Sequence, residues 1–147
     1  INGVKVRFIG DRSKLDDPII KLMNDLELMT VENDNLHLSI AVNYGGRDEI
    51  VRATKKIAEK VKLGQINIDD ISVELFSNNL DTFDLPDPDL VIRTSGEMRT
   101  SNFLPWQCAY SEYVFEQSNW PDFNKDIYQK ILNDFKNRER RFGAVLK

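Results

Sequence analysis

The sequence predicts an α/β fold with a mostly parallel central β-sheet flanked by helices. Strand-like apolar segments alternate with helix-like amphipathic segments along the chain, and this order is typical of parallel strands joined by helical crossovers. The length of 147 residues suits one domain with a sizeable core, so we expect a single α/β domain over residues 1–147. Because the chain starts at Ile1 and enters a strand almost at once, we expect it to be a piece of a longer protein.

Residues 4–10 predict the first strand, because apolar and polar residues alternate there before a glycine. A helix follows, in which Asp17 is the expected N-cap and Pro18 takes the first helical position. Four apolar side chains recur at helical spacing and are expected to form the buried face of this helix: Ile19, Met23, Leu26 and Met29.

Residues 36–43 are nearly uncharged and predict the second strand. A glycine turn then leads into a second helix, which is expected to bury Ile50, Ile57 and Val61 and to end at Gly64. A polar connection with a short helix at residues 70–76 completes this part of the chain.

The remaining segments predict two more strands and a closing helix. Pro86 and Pro88 favour an extended approach to a strand at residues 90–93. The segment "SEYVFE" predicts another short strand, and a helix with Asn124 as N-cap and Gly143 past its end closes the chain.

Composition narrows the class of function. The formal net charge of −4 argues against a mainly electrostatic nucleic-acid binder. The single cysteine, Cys108, excludes an internal disulfide framework and favours a reducing compartment such as the cytoplasm. The single histidine, His37, is expected to lie in a strand without chemistry, and Trp106 and Trp120 are expected to be packing residues.

A polar stretch directly after the strand at residues 90–93 is the main candidate site. Two arginines, Arg93 and Arg99, and four hydroxyl side chains lie around Gly96 within nine residues. Ligands bind at the carboxyl ends of parallel strands, and guanidinium groups, hydroxyls and backbone N–H groups suit phosphate oxygens. A short helix expected near residues 103–110 would add a partial positive charge. The stretch therefore predicts a site for a multiply charged anion, most simply a diphosphate.

Two carboxylates, Glu97 and Glu112, are candidates for holding magnesium together with substrate phosphates. Glu112 begins the strand in "SEYVFE" and is expected to point back at the same sheet edge. The alternative is that both carboxylates pair with nearby arginines, and that each arginine is part of a surface ion pair.

Several blocks in order resemble one family. "DLVIRTSGEMRTSNFLPWQCAYSEYVF" with the following "WPDF", together with "LSIAVNYGGRDEIV" and "NRERRFG", is similar to the cis-prenyltransferases of the undecaprenyl diphosphate synthase type. The resemblance implies an α/β fold of that type. It also implies a Mg²⁺-dependent enzyme that condenses isopentenyl diphosphate onto an allylic diphosphate, such as farnesyl diphosphate, with cis stereochemistry. The product would be a long-chain polyprenyl diphosphate, the precursor of a lipid carrier for cell-wall synthesis.

The resemblance also implies roles for individual residues. Those expected to bind the diphosphate of isopentenyl diphosphate are Arg93, Arg99, Thr100 and Ser101. Glu112 corresponds to a magnesium-binding glutamate. Arg141 and Gly143 match an element that reaches into the partner's site of a homodimer, and the turn at residues 43–47 supports the site.

The family's Asp-Gly-Asn-Gly-Arg loop, which carries the catalytic aspartate, does not occur in these residues. The resemblance therefore implies the C-terminal portion of the enzyme, with a sheet incomplete at its N-terminal side, one of two substrate subsites and no activity alone. Ser95 and Met98 replace a glycine and a histidine common in the family, and both changes are expected to be tolerated.

Two other functions remain open at this point. A non-catalytic scaffold subunit of a heteromeric cis-prenyltransferase would keep the fold, but such subunits typically lose the arginine and glutamate positions that this chain retains. An unrelated phosphate-binding enzyme, such as a phosphatase, has no supporting motif. Contact with a membrane is expected only peripherally, through the lipid product.

Overall fold

The computed structural model describes residues 3–138. The chain divides into two compact units, Ile1–Leu85 and Pro86–Lys147, and the single domain stays a prediction. Over the described range, none of the helices has the length and apolar character needed to cross a bilayer.

In its described residues, the first unit contains a two-stranded parallel sheet and three α-helices. In chain order its elements are β1 (Val4–Ile9), α1 (Asp17–Met29), β2 (Leu36–Ala41), α2 (Gly46–Lys62) and α3 (Val73–Ser77). Short 3₁₀ turns lie at Arg12–Lys14 and Ile68–Asp70. Val4 lies opposite Leu36 and Ile9 opposite Ala41, so the predicted parallel pairing of the first two strands is confirmed.

Side chains close the outer edge of β1. A strand edge exposes N–H and C=O groups that need partners. Three hydrogen bonds supply them: Val6 N–H to Thr30 Oγ1 at 3.1 Å, Phe8 N–H to Glu27 Oε1 at 2.7 Å and Asn33 Nδ2 to the Val4 carbonyl at 2.8 Å. Polar side chains at and just after the end of α1 therefore satisfy this edge.

Helix α1 differs from its prediction in its first residue and in the side chains that it buries. The helix begins at Asp17 with Asp16 as its N-cap residue, one position earlier than predicted. Met23 is buried as expected, but Ile19 is 44% exposed and Met29 is 77% exposed. The inner face carries Glu27 and Thr30, which bond to β1, and is therefore partly polar.

The second helix, α2, buries Ala53 and Ile57 together with the carboxylate of Glu49. Ile50 and Val61, which were predicted to be buried, are half-buried.

The second unit pairs β3 (Leu90–Arg93) with β4 (Glu112–Phe115) in parallel. Its helix α4 (Lys125–Lys136) begins after Asn124, whose side chain accepts hydrogen bonds from two backbone N–H groups of the first turn. The α/β class is confirmed. Each unit contains one parallel pair of the described strands, β1 with β2 and β3 with β4.

Residues 101–110 form a series of turns, and the helix predicted near 103–110 is wrong. Ser101, Asn102 and Leu104 have φ angles of +48°, +66° and +46°, in the left-handed region that a right-handed helix cannot use. Pro105 lacks an N–H group and therefore cannot contribute a helical hydrogen bond. The partial positive charge expected from a helix N-terminus is therefore absent from this part of the described chain.

Candidate functional site

Arg93 ends β3 and organises the loop that follows it. Its Nη1 donates to Ser101 Oγ at 3.0 Å and also to the carbonyl oxygen of Arg99. These two bonds fold residues 94–101 back over the carboxyl end of the strand. Three of the predicted diphosphate-binding residues, Arg93, Arg99 and Ser101, are thus brought together.

A cavity of about 260 Å³ lies at this strand end. Its lining combines guanidinium and hydroxyl groups with an apolar surface: Val91, Ile92, Arg93, Thr94, Arg99, Thr100, Phe103, Tyr113 and Phe115. Tyr113 and Phe115 are alternate residues of β4, so they lie on one face, and their rings stack with centroids 6.1 Å apart. The cavity therefore offers a cationic rim and an aromatic wall, which suits a small molecule that is anionic at one end and apolar at the other.

The backbone N–H groups of Ser95 and Gly96 already donate hydrogen bonds within the fold. The N–H of Ser95 donates to the Ser118 carbonyl at 2.8 Å, and the N–H of Gly96 donates to the Glu116 carbonyl at 2.9 Å. The prediction that N–H groups around Gly96 complete an anion shell is wrong for these two groups, because they anchor the loop to residues 116–118.

Arg99 and Glu97 form an ion pair, with 65% of the Arg99 side chain and 38% of the Glu97 side chain exposed. Ion pairs on the surface contribute little to the stability of a protein and rearrange easily. An anion that bound Arg99 would have to compete with Glu97, whereas Arg93 is held in place by its bonds to the loop.

Glu112 lies at the opposite end of the sheet from Arg93. The register places Glu112 beside Leu90 and Arg93 beside Phe115, a separation of three residues or about 10 Å along the strands. The expectation that Glu112 shares the edge with Arg93 is wrong, because in a parallel pair the first residue of one strand lies beside the first residue of the other. Glu112 instead accepts a hydrogen bond from Arg138 at 2.8 Å, as the ion-pair alternative proposed.

The sequence matches the family model described as "Putative undecaprenyl diphosphate synthase" over residues 1–143. The chain belongs to the undecaprenyl diphosphate synthase family. It is 51% identical to the isoprenyl transferase of Clostridium perfringens over 98% of this chain and 57% of that protein. It is 50% identical to the isoprenyl transferase of Bacillus subtilis over 97% of this chain and 55% of that protein. The chain thus spans little more than half the length of these relatives.

Solved structures of two diphosphate synthases confirm the α/β fold class. One is lavandulyl diphosphate synthase from Lavandula x intermedia, solved in complex with dimethylallyl diphosphate. It superposes on this chain with a TM-score of 0.92 and 36% sequence identity, and the match covers 96% of this chain and 61% of the synthase chain. The other is a "probable undecaprenyl diphosphate synthase" from Campylobacter jejuni. It superposes on this chain with a TM-score of 0.86 and 38% sequence identity, and the match covers 97% of this chain and 64% of the Campylobacter chain.

The turn at residues 43–47, which the family resemblance places in support of the site, joins the carboxyl ends of β1 and β2. The N–H of Asp11 donates to the Asn43 carbonyl at 3.2 Å, and Asn43 Nδ2 donates back to the Asp11 carbonyl at 2.8 Å. Asn43 has a φ of +48°, a conformation that asparagine tolerates better than most residues. Arg141 and Gly143 lie outside the described residues.

No sequence pattern pointed to Asp81, which connects the end of β1 to α2. Its carboxylate accepts two hydrogen bonds from Arg52, at 2.8 and 2.7 Å, and one from the Gly10 N–H at 3.1 Å. Burial raises the pKa of Asp81, but the hydrogen bonds and charge of Arg52 outweigh it and hold this pKa below its usual value. Asp81 lies in a segment interpreted as a polar connection, and no local pattern marks a partner 29 residues away.

We expect Asp81 to make the first unit sensitive to acid. A carboxylate with a lowered pKa stabilises the fold fully above its unfolded pKa of about 3.9 and loses that effect as the pH falls through its lowered value. Asp81→Asn should cost about 2–3 kcal/mol near pH 7 and progressively less as the pH falls below about 3.9. Urea unfolding across this pH range measures both effects. Asp25→Asn, an exposed carboxylate of α1, is the matched control, and parallel stability curves for wild type and Asp81→Asn would contradict the assignment.

Proposed function

We propose that the protein is a cis-prenyltransferase that condenses isopentenyl diphosphate onto an allylic diphosphate, such as farnesyl diphosphate, and that this chain carries the isopentenyl diphosphate subsite. The observation that supports this most directly is the cationic loop held by Arg93 over a cavity with an aromatic wall. Family membership agrees with it.

The two ends of isopentenyl diphosphate match the two sides of the cavity. Arg93 and Arg99 would bind the diphosphate through charge-assisted hydrogen bonds, which are about twice as strong as neutral ones. The hydroxyl of Thr100 and that of Ser101 would add further donors. Tyr113 and Phe115 would contact the isopentenyl group.

Magnesium is the proposed cofactor, and when bound it would neutralise charge on the diphosphate leaving group. Glu112 supplies an oxygen donor of the type that magnesium takes, and it would be the residue that holds the ion. In the described residues, Arg138 already pairs with this carboxylate, and no group of three potential ligands occurs in that range. The ion would therefore need donors beyond these residues, and Glu112 would be released from Arg138 to bind it.

This competition predicts opposite effects of two substitutions. Arg138→Ala should lower the magnesium concentration that gives half-maximal turnover, because the carboxylate becomes available, whereas Glu112→Ala should raise it by about tenfold or more. A magnesium titration of the intact enzyme at saturating substrates measures both. If the magnesium dependence of turnover were unchanged in both variants, Glu112 and Arg138 would form only a structural ion pair, and Glu112 would not bind magnesium.

The activity itself is tested in the intact protein with labelled isopentenyl diphosphate and a short allylic diphosphate. We expect cis-polyprenyl diphosphate to form, and we expect the 147-residue chain alone to bind isopentenyl diphosphate weakly without condensation. No product from the intact protein would contradict the proposal. If that protein instead stimulated a separate cis-prenyltransferase, the scaffold function would be correct.

We also propose a homodimer in which Arg141 and Gly143 reach the partner's site, and a product that serves as the precursor of a cell-wall lipid carrier. Both rest on the family resemblance alone.

A further inference from the structure

Glu49 is the most deeply buried charged side chain in the described chain, with 1% of its surface exposed. It lies in the first turn of α2, directly after the turn at residues 43–47. Its Oε2 accepts from the Tyr44 hydroxyl at 2.6 Å, and its Oε1 accepts from the Asp81 N–H at 2.8 Å. One carboxylate therefore bonds both to the turn after β2 and to a segment 32 residues away.

These bonds extend a network over the carboxyl ends of β1 and β2. Asp81, which Glu49 holds through its N–H, binds the N–H of Gly10 at the end of β1 and the guanidinium of Arg52. Tyr44, which Glu49 holds through its hydroxyl, lies in the turn at the end of β2. Glu49 thus connects the two strand-end loops through partners on both sides.

A core position that served only packing would favour an apolar side chain, because burying a carboxylate is costly unless its oxygens are well bonded. Each carboxylate oxygen of Glu49 accepts a short, directional hydrogen bond, one from the Tyr44 hydroxyl and one from the Asp81 N–H. Such bonds restrict the position of their donors. The burial and the two bonds together favour a role in holding the turn.

We propose that Glu49 is a positioning residue: its hydrogen bonds to Tyr44 and Asp81 set the turn at residues 43–47 in the geometry that condensation requires. This inference rests on the proposed function. Glu49 acts through Tyr44 and Asp81 and does not itself take part in the chemistry.

The test uses three variants of the intact protein that separate hydrogen bonding from charge and packing. Glu49→Gln keeps both bonds, because its carbonyl oxygen can accept from Asp81 N–H and its amide can donate to the Tyr44 oxygen. Glu49→Met has similar volume but no acceptor, and Tyr44→Phe removes a single hydroxyl. Glu59→Gln, an exposed glutamate of the same helix, is the control.

We expect Glu49→Met to lower kcat by about tenfold or more at a temperature where it is fully folded, since small misplacements cost large factors in rate. Glu49→Gln should stay within about threefold of wild type, and Tyr44→Phe should fall between the two. The KM for isopentenyl diphosphate should change little, because its proposed binding residues lie at 93–101.

Three kinetic results would overturn the proposal. They are full activity of Glu49→Met, equal loss in Glu49→Gln and Glu49→Met, or a loss that only follows the folded fraction. If the intact wild-type protein makes no product, the proposed function fails, and hydrogen exchange of residues 43–47 and 79–85 tests separately whether Glu49 holds the turn. Faster exchange in Glu49→Met but not in Glu49→Gln supports it, and equal exchange overturns it.

Discussion

Replacing Arg93 with alanine is expected to raise the KM of the intact enzyme for isopentenyl diphosphate by about two orders of magnitude. A charge-assisted hydrogen bond to a phosphate contributes about 1.5–3 kcal/mol, which is one to two decades in affinity. Arg93 also donates to Ser101 and to the Arg99 carbonyl. Its loss therefore removes a ligand to the diphosphate and releases the loop that presents Arg99 and Thr100.

Arg99→Ala should have a smaller effect, of about one decade in the same KM. Arg99 is exposed and already paired with Glu97, so part of its interaction with the substrate replaces an existing one. Steady-state kinetics with each diphosphate varied in turn measure the effects, and the KM for the allylic substrate should change less.

Lys125→Ala removes one exposed positive charge from the same unit and serves as the control. A KM unchanged in Arg93→Ala would place the isopentenyl diphosphate site elsewhere. An equal rise in Lys125→Ala would mean that general charge, and not this loop, attracts the substrate.

Replacing Gly10 with alanine is expected to destabilise the first unit by about 3–5 kcal/mol. Gly10 has a φ of +120°, and a Cβ there would lie 2.1 Å from the Val42 carbonyl oxygen. That oxygen belongs to backbone held next to β1, because the Val42 N–H donates to the Ile9 carbonyl at 3.0 Å. Relief of the clash must therefore separate the ends of the two strands.

Gly64→Ala is the matched control for this effect. Gly64 also has a positive φ, of +69°, but a Cβ there meets nothing within 4 Å. The cost should be that of the left-handed conformation alone, about 1–2 kcal/mol. Denaturant unfolding of both variants measures the difference. Equal losses would show that the contact with Val42 carries no weight.

Elements with strong local signals were predicted closely. The strand at residues 90–93 has the predicted bounds, because a short apolar run ends at an arginine after a proline-rich approach. Asn124 caps α4 as predicted, because a capping side chain bonds to N–H groups two or three residues away. The grouping of Arg93, Arg99 and Ser101 could also be predicted, since Arg93 ends one strand and the other two lie in the loop that follows it.

The sequence by itself therefore determined most of the elements, their parallel pairing and the cationic loop after β3, but not the turns at residues 101–110. Only the tertiary structure decided that Glu112 lies at the far end of the sheet from Arg93, and that Glu49 and Asp81 hold the loops of the first unit together. The physical reason is the distance along the chain between the groups that interact. Caps, turns and periodic patterns depend on contacts within a few residues, whereas strand register and the partner of a buried carboxylate depend on contacts between segments tens of residues apart.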